Sequence, residues 1–421
     1  MPMFEDFKKD LFPIVKDIAD HFGTPFHIYD EKGIYNTGEN LKKEFSDIKG
    51  GFTEYFAVKA LPNTTILEIM KNMGFGFDCS SIPELAMSRM IGARGSDIMF
   101  TSNNTKKEEF EAAMADGGSI INLDDITFLQ KLPKIPELIC FRYNPGHRRT
   151  GNSIIGNPVE AKYGVSHDQI IDAYREAIKL GIKQFGLHTM LVSNEIQYEY
   201  MIETAKMLID LAEDISKNLG IKFEFINIGG GLGIPYRPEQ NRLDLKAMAK
   251  GIKSIFNEFN DRNGYCPKLF IESGRYMTGP HGVLVTKAIN RKSIYRNYVG
   301  VDACMSSLMR PAIYGAYHHI SVLGKDENAD QEIVDIVGAL CENNDKFAVQ
   351  RKVPVIKEED LIIIHDTGAH GYAMGFNYNG RLRPKELLLK SDGSVELIRR
   401  EETLEDYLAT LNFKPKTLKL N

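Results

Sequence analysis

A lysine closes the run Tyr55-Phe56-Ala57-Val58-Lys59, and the chain then turns through Ala60-Leu61-Pro62-Asn63. An amine at the end of a buried apolar segment is partly desolvated. Desolvation disfavours its ammonium form, lowers its pKa and makes it a nucleophile toward an aldehyde. A second segment, Ile226-Asn227-Ile228-Gly229-Gly230-Gly231-Leu232-Gly233, leads an apolar stretch into three consecutive glycines. With no side chains in the way, backbone N–H groups there can surround a phosphate. The dinucleotide fingerprint G-x-G-x-x-G is not met, since Ile234 and Tyr236 stand where its third glycine belongs. A third segment ends in Ile271-Glu272-Ser273-Gly274-Arg275, a carboxylate with an arginine three residues on, and a fourth ends in Phe185-Gly186-Leu187-His188, an imidazole. Taken singly, each has a structural explanation: a lysine that snorkels to solvent, a tight turn, a Glu272–Arg275 ion pair, a satisfied core histidine.

The elements that carry these residues repeat one theme. Apolar runs at Tyr55–Val58, Gly76–Cys79, Asp97–Thr101, Ser119–Leu123, Leu138–Tyr143, Gln184–His188, Glu224–Ile228 and Leu269–Glu272 alternate with stretches of helical period such as Pro83–Ile91, Lys106–Ala115, Asp168–Lys179 and Glu199–Asn218. Eight strand–helix units predict an α/β fold, a parallel (β/α)8 barrel, whose C-terminal strand ends form the active-site face. Beyond residue 283 the pattern changes. Gly282–Ala288, Tyr298–Val301, Glu332–Val337, Leu361–His365 and Val395–Arg400 are rich in β-formers, and they predict a second, mostly β domain. At the N-terminus, Phe4, Phe7, Leu11, Val15, Ile18 and Phe22 fall at the spacing of an amphipathic helix.

The 421 residues, 43% of them hydrophobic, suffice for one large domain plus a smaller one. A net charge of -5 without long runs of one sign suggests neither a nucleic-acid nor a membrane-surface partner. Glu5, Asp6 and Asp10 interrupt any signal-peptide pattern, and no run of about twenty apolar residues exists. Cys79, Cys140, Cys266, Cys304 and Cys341 are odd in number and lack a C-x-x-C pair, which argues against disulfides or a metal site and for a reducing, cytoplasmic location.

An amine for an aldehyde, a glycine turn for a phosphate and a carboxylate for a ring nitrogen are together what pyridoxal 5′-phosphate requires. Three C-terminal stretches add polar groups: Val301 to Tyr314 with Arg310, Gly338-Ala339-Leu340-Cys341-Glu342, and Asp366-Thr367-Gly368-Ala369-His370-Gly371-Tyr372. In this order the motifs resemble the fold-type III pyridoxal-phosphate decarboxylases, most closely the diaminopimelate decarboxylases, from about Thr24 to Glu386. The resemblance implies an alanine-racemase-like barrel over residues 35–283 and a β-sandwich or β-barrel-like domain from 1–34 plus 284–421. It implies Lys59 as the Schiff-base lysine and His188 stacked on the cofactor ring. It places Gly230 and Gly231 at the phosphate, Glu272 at the pyridine nitrogen, and Gly274 and Arg275 in the same loop. Arg275, Arg310, Tyr314 and Glu342 are implied for substrate, and Cys341 as the proton donor to the decarboxylated carbon. The Cys341–Glu342 pair is implied to enter from a partner subunit, hence a homodimer with shared sites.

Three departures stand out. Where the family has His-Ile-Gly-Ser, this chain has His188-Thr189-Met190-Leu191, so Ser193 or Thr189 must replace the cofactor-anchoring serine. Ala339 and Asn343 replace a proline and a serine around Cys341. The family's Gly-Ala-Tyr is Gly368-Ala369-His370, so His370 takes a tyrosine's place at cofactor and substrate, with Tyr372 expected to share the task. The implied reaction converts meso-2,6-diaminopimelate to L-lysine and CO2, the last step of lysine biosynthesis. Two arginines suit a substrate with a distal acid, which ornithine lacks. The alternatives are decarboxylases of the same fold acting on arginine, ornithine or carboxynorspermidine, an amino-acid racemase, and a non-catalytic barrel-only pyridoxal-phosphate protein.

Overall fold

In a computed structural model of the chain, the described residues are 3–418 except 116, 153, 155 and 327–329. The outermost ends of the expected second domain, residues 1–2 and 419–421, lie outside them. Two units are resolved. The first holds Glu31–His281 and Gly368–Ala373 with the residues up to Phe4; the second holds Glu5–Asp30, Gly282–Thr367 and the chain from Met374 onward.

The N-terminal amphipathic stretch forms two helices rather than one, α1 (Glu5–Leu11) and α2 (Val15–Phe22), followed by strand β1 (Phe26–Asp30). Pro13 is the physical reason for the break. It has no N–H to donate, and its ring pushes the preceding residue away from helical angles.

The first unit opens with α3 (Glu31–Phe45) and then alternates strand and helix. Its strands are β2 (Phe52–Ala57), β3 (Gly76–Cys79), β4 (Ile98–Thr101), β5 (Ile120–Leu123), β6 (Leu138–Asn144), the two-residue β7 (Val165–Ser166), β8 (Gln184–His188), β9 (Phe223–Asn227) and β10 (Lys268–Ile271). Parallel pairing runs β2-β3-β4-β5-β6-β8-β9-β10 and returns from β10 to β2, closing an eight-stranded barrel with β7 as an extension of β6. The outer helices are α4 (Thr64–Asn72), α5 (Ile82–Met90), α6 (Lys107–Met114), α7 (Ile170–Lys179), α8 (Tyr198–Leu219) and α9 (Leu245–Asn263). The longest of them shows the stripe that a barrel wall needs. On α8, Met201, Ala205, Leu208, Ile209, Ala212 and Ile215 are buried at three- and four-residue spacing. The crossover after β5 is only a short 3-10 helix, Ile126–Lys131.

Side chains alternate across each strand, so residues two apart share a face. The lower interior is apolar: Tyr55, Met99, Ile120, Cys140, Phe225 and Phe270 form one cluster. Phe225 stacks on Phe270 at 4.3 Å between ring centroids. Gly186 makes room for them, because a Cβ there would lie 2.0 Å from Phe225 Cζ. Two residues further along the strands the interior turns polar, with Asp78, Thr101, Asn122, Arg142, His188, Asn227 and Glu272. The barrel is thus plugged below and chemically armed at the C-terminal ends of its strands.

The second unit is mostly β: β11 (Gly282–Ser293), β12 (Asn297–Val301), β13 (Ile320–Val322), β14 (Gln331–Val337), β15 (Lys346–Pro354), β16 (Leu361–Ile364), β17 (Lys385–Leu389) and β18 (Val395–Arg399) join β1. The strand order is β15-β14-β12-β11-β1-β17-β18, with β16 pairing both β11 and β13. β1 pairs antiparallel with β11 and parallel with β17, so it is central to this sheet. Its core gathers Leu284, Val299, Val301, Ile320, Val334, Ile336, Phe347, Ile362 and Ile364.

Candidate active site

Lys59 sits in the single 3-10 turn Val58–Ala60 that directly follows β2. The next residues leave the barrel under control: Asn63 caps α4, its Oδ1 accepting from the Thr65 N–H at 3.1 Å. Ala57 is in register with Asp78 on β3, and Lys59 Nζ donates to Asp78 Oδ2 at 3.1 Å. The lysine side chain is half exposed, whereas Asp78 is fully buried. The sequence predicts a lowered Lys59 pKa, and here the structure corrects it. Burial does pull the pKa down, but the carboxylates of Asp78, Glu272 and Glu84 outweigh it and leave the pKa raised. Asp78 moves the same way: its own burial and the Glu272 charge raise its pKa against the pull of Lys59.

Glu272 follows β10 and His188 ends β8. The His188 Nε2 and Glu272 Oε2 atoms are 3.3 Å apart, and both residues are buried. Asparagines hold each of them. Asn122 Nδ2 lies 2.8 Å from His188 Nδ1, which as the acceptor leaves the ring proton on Nε2, facing Glu272. Asn227 Nδ2 donates to Glu272 Oε1 at 2.7 Å, while Asn227 Oδ1 accepts from the Gly229 N–H at 2.8 Å. Burial alone would favour a neutral Glu272. The His188 ring, the Lys59 ammonium and the Asn227 amide outweigh it and hold the carboxyl below the usual range, hence ionised.

The glycine turn is shaped by close approach. Gly229 and Gly231 have φ of +72° and +92°. A Cβ on Gly229, Gly230 or Gly231 would lie 2.3, 2.2 or 2.4 Å from the carbonyl oxygens of Thr189, Glu272 or Val192 respectively. Only glycine fits at all three. Beside this turn Arg275 opens a short helix, α10 (Arg275–Thr278), and donates to the Tyr236 hydroxyl at 2.5 Å and to Ser193 Oγ at 3.4 Å.

These groups meet around one cavity of about 420 Å³ at the C-terminal mouth of the barrel. Its walls include Lys59, Asp78, Arg142, His188, Ser193, Gly230, Gly231, Glu272, Gly274, Arg275 and His370, all from the first unit. His370 reaches it because its N–H donates to the Ala60 carbonyl at 2.8 Å, and it adopts φ +56°.

Residues 32–279 match the family model described as "Pyridoxal-dependent decarboxylase, pyridoxal binding domain". The chain belongs to this family. A protein named Protein TabA from Pseudomonas amygdali pv. tabaci is 45% identical over 415 residues, covering 99% of this chain and 97% of the relative. Diaminopimelate decarboxylase from Methanothermobacter thermautotrophicus is 35% identical over 411 residues, 96% and 95% of the two chains. Among solved structures, the diaminopimelate decarboxylase of M. jannaschii in complex with L-lysine superimposes with a TM-score of 0.87 at 29% identity, covering 95% and 94% of the chains.

The decarboxylase takes pyridoxal phosphate, and the cavity fits that group on its own terms. It offers a lysine for the aldehyde, an ionised carboxylate for a protonated ring nitrogen, and a glycine turn beside Ser193 for a phosphate. The buried Asp78 Oδ1 atom has no hydrogen-bond partner among the described residues, as expected of a group reserved for a ligand or its water. Of the two residues expected to replace the cofactor-anchoring serine, Ser193 stands on the cavity wall. Thr189 is fully buried and donates instead to the Tyr143 carbonyl at 2.8 Å. Likewise His370 lines the cavity, while Tyr372 is buried and is not among its wall residues.

The decarboxylase's other candidate residues belong to the second unit. Arg310 opens α11 (Arg310–Tyr314), is 4% exposed and donates to His318 Nε2 at 2.8 Å. Tyr314 closes that helix and is half exposed. Cys341 is exposed, its N–H donating to Asn379 Oδ1 at 2.7 Å, and Glu342 Oε1 accepts from the Asn344 N–H at 3.1 Å. Sequence reasoning did not single out Asp78, Asn122, Arg142 or Asn227. Arg142 is 8% exposed, lies over the Tyr163 ring at 4.2 Å and is 3.8 Å from Asp124. The usable signal was a polar residue inside a run otherwise fit for burial.

Proposed function

We propose that this decarboxylase acts on meso-2,6-diaminopimelate and releases L-lysine and CO2. The observation that carries this reading is Arg275, a permanent cation on the wall of the cavity that holds Lys59 and Glu272. It suits a substrate with a carboxylate besides the one that leaves. Relatives named diaminopimelate decarboxylase, at 32–35% identity over most of the chain, support the same substrate.

When bound, pyridoxal phosphate supplies an electron sink for the bond that breaks. Lys59 would hold the cofactor covalently through its amine. Glu272 would hold a proton on the ring nitrogen, and His188, Gly230, Gly231 and Ser193 would hold the ring and the phosphate. Arg275 and Arg310 orient the distal carboxylate, with Tyr314 beside it, and Glu342 receives the distal amine. Cys341 Sγ delivers a proton to the former α-carbon. This reading includes a cytoplasmic homodimer in which Cys341 and Glu342 of one protomer serve the cavity of the other.

A second reading is favoured by His370, which stands on the cavity wall where the resembling family has tyrosine, and by a relative at 45% identity whose name states no activity. In it, the substrate is another amino acid. Incubating the purified holoenzyme with meso-diaminopimelate, arginine, ornithine and carboxynorspermidine in turn, with mass analysis of products, separates the two. Lysine with equimolar CO2 supports the first reading. Release of CO2 from another member of the panel alone overturns it.

A further inference from the structure

Glu54 has no part in the chemistry described above, yet it is 1% exposed and sits at the seam where β10 meets β2. Along β2, Tyr55 joins the apolar floor and Ala57 lines the cavity, so Glu54 faces the other way. Phe52, on that same outer face, stacks on Phe45 of α3 at 4.9 Å. An apolar side chain would suit this position; a carboxyl there costs desolvation and needs a partner. The partner is a backbone group, for Glu54 Oε1 accepts from the Ser273 N–H at 2.5 Å. The pairing of β10 with β2 ends at Ile271 and Glu54. The Glu54 side chain thus carries the seam past the end of β10, onto the residue that follows Glu272.

Glu272 is thereby held from three directions. Its own N–H donates to the Gly229 carbonyl at 2.9 Å, its carboxylate receives the Asn227 amide at 2.7 Å, and the next peptide is gripped by Glu54. One residue further, Gly274 packs against the Lys59 turn: a Cβ on it would lie 2.6 Å from Ala60 Cβ and 3.2 Å from Ala57 Cβ. The gripped peptide therefore lies between the carboxylate and the turn that carries the amine. Burial raises the Glu54 pKa well above the ordinary carboxyl value, and the Glu272 charge adds to this against the pull of the Ser273 hydrogen bonds. Glu54 is accordingly a neutral acid that accepts through its carbonyl oxygen, and the negative charge stays on Glu272.

We propose that Glu54 is a positioning residue which, by accepting from the Ser273 N–H, fixes the Glu272 carboxylate against the cofactor's ring nitrogen. This rests on the reading of Glu272 given above. The physical case is one of pre-organisation: a charge-assisted hydrogen bond has its full strength only in line and at the right distance, and a loose supporting turn loses part of it.

The test measures how well the apoprotein tells pyridoxal phosphate from its analogue with C–H in place of the ring nitrogen. Both aldehydes are titrated into wild type, Glu54→Leu, Glu54→Met, Glu54→Gln and Glu272→Ala, with the absorbance of the lysine-bound form as the signal and circular dichroism as the control for folding. Wild type should prefer pyridoxal phosphate by about tenfold or more, and Glu272→Ala should lose that preference. Glu54→Leu and Glu54→Met have no oxygen to accept, and their preference should shrink to about twofold. Glu54→Gln restores a neutral oxygen acceptor of the same length and should keep the wild-type ratio. A side chain that merely supports the fold would weaken both ligands alike and leave the ratio unchanged. If Glu272→Ala keeps the preference, the reading of Glu272 itself fails. If Glu272→Ala loses it while Glu54→Leu and Glu54→Met keep it, the positioning role of Glu54 is overturned and the reading of Glu272 stands. Loss of the preference in Glu54→Gln overturns the acceptor role as well, and this variant decides the matter should the two apolar ones misfold.

Discussion

Lys59 Nζ and Asp78 Oδ2 are 3.1 Å apart, one half exposed and the other fully buried. A buried carboxylate beside the amine holds Lys59 as an ammonium, yet only the neutral amine attacks an aldehyde. With its own pKa raised, Asp78 is the matched acceptor for the proton that must leave. Replacing Asp78 by Asn removes the strongest attraction on the ammonium and should lower the Lys59 pKa. The acid limb of the rate of cofactor loading into apoprotein, followed by visible absorbance against pH, should then move to lower pH. An unmoved or alkaline-shifted limb would refute the assignment. Lys59→Ala should lose the visible band of the covalently held cofactor.

Glu272 is expected to act through its charge. Glu272→Gln keeps the shape and the Asn227 contact but cannot hold a proton on a ring nitrogen. Turnover should fall by about 10²-fold or more while cofactor still loads. A variant with near-native turnover would remove Glu272 from the chemistry.

The glycine turn makes a steric prediction. At Gly231, φ is +92° and an added Cβ would lie 2.4 Å from the Val192 carbonyl oxygen. Gly231→Ala should cost about 1–3 kcal/mol of local strain and weaken cofactor retention by about tenfold or more, read by dialysis and absorbance titration. Gly74→Ala is the control, for it also has positive φ but nothing within 4 Å of its Cβ. Equal cofactor retention in the two variants would show that the turn has no special part in binding.

Cys341 is exposed and lies outside the first unit. Cys341→Ala should lower turnover by about 10²-fold with cofactor binding unchanged, as expected for loss of a general acid. Loss of cofactor instead would point to a structural role and end the proton-donor assignment.

A pH effect on stability follows from His27. Its ring is buried on β1 and lies 3.0 Å from the Ser307 carbonyl oxygen and 3.3 Å from Thr367 Oγ1. Burial lowers its pKa from 6.5 to about 4, against the pull of Glu386 and the Ser307 hydrogen bond. As pH falls from about 6.5 toward 4, the unfolded chain binds a proton there that the folded chain refuses, so stability falls with pH across that window. The melting temperature of the wild type should drop over this range, and that of His27→Gln should drop less. Parallel curves would exclude His27 as a contributor.

Much of this was legible in the sequence, and for a physical reason. A parallel barrel buries its strands on both faces, so its runs read as nearly continuous apolar blocks, and the residues just past them must lie at one mouth. Lys59 and Glu272 were found that way. Asp78, Asn122, Arg142 and Asn227 were not, because they lie within the runs rather than past them. Each stands two residues beyond a small or apolar inward neighbour, Gly76, Ile120, Cys140 and Phe225, on the same strand. The period of two that hid them among apolar letters also locates them once the lower layer is known. The direction of the Lys59 pKa was missed because its three carboxylate neighbours come from positions that are distant in sequence, and strand spacing does not reveal them.

The place of β1 bears on how the chain is made. Phe26 pairs with Val285 on one side and Lys385 on the other, partners separated from it by most of the chain. During synthesis the strands of the barrel emerge one after another and can close as soon as β10 appears. The early strand, by contrast, must wait with both edges bare until β11 follows the barrel, and with one edge bare until the last tenth of the polypeptide leaves the ribosome. A five-residue strand that is buried throughout in the fold, left waiting in this way, is where premature aggregation would begin, and where a chaperone would be expected to hold the nascent chain.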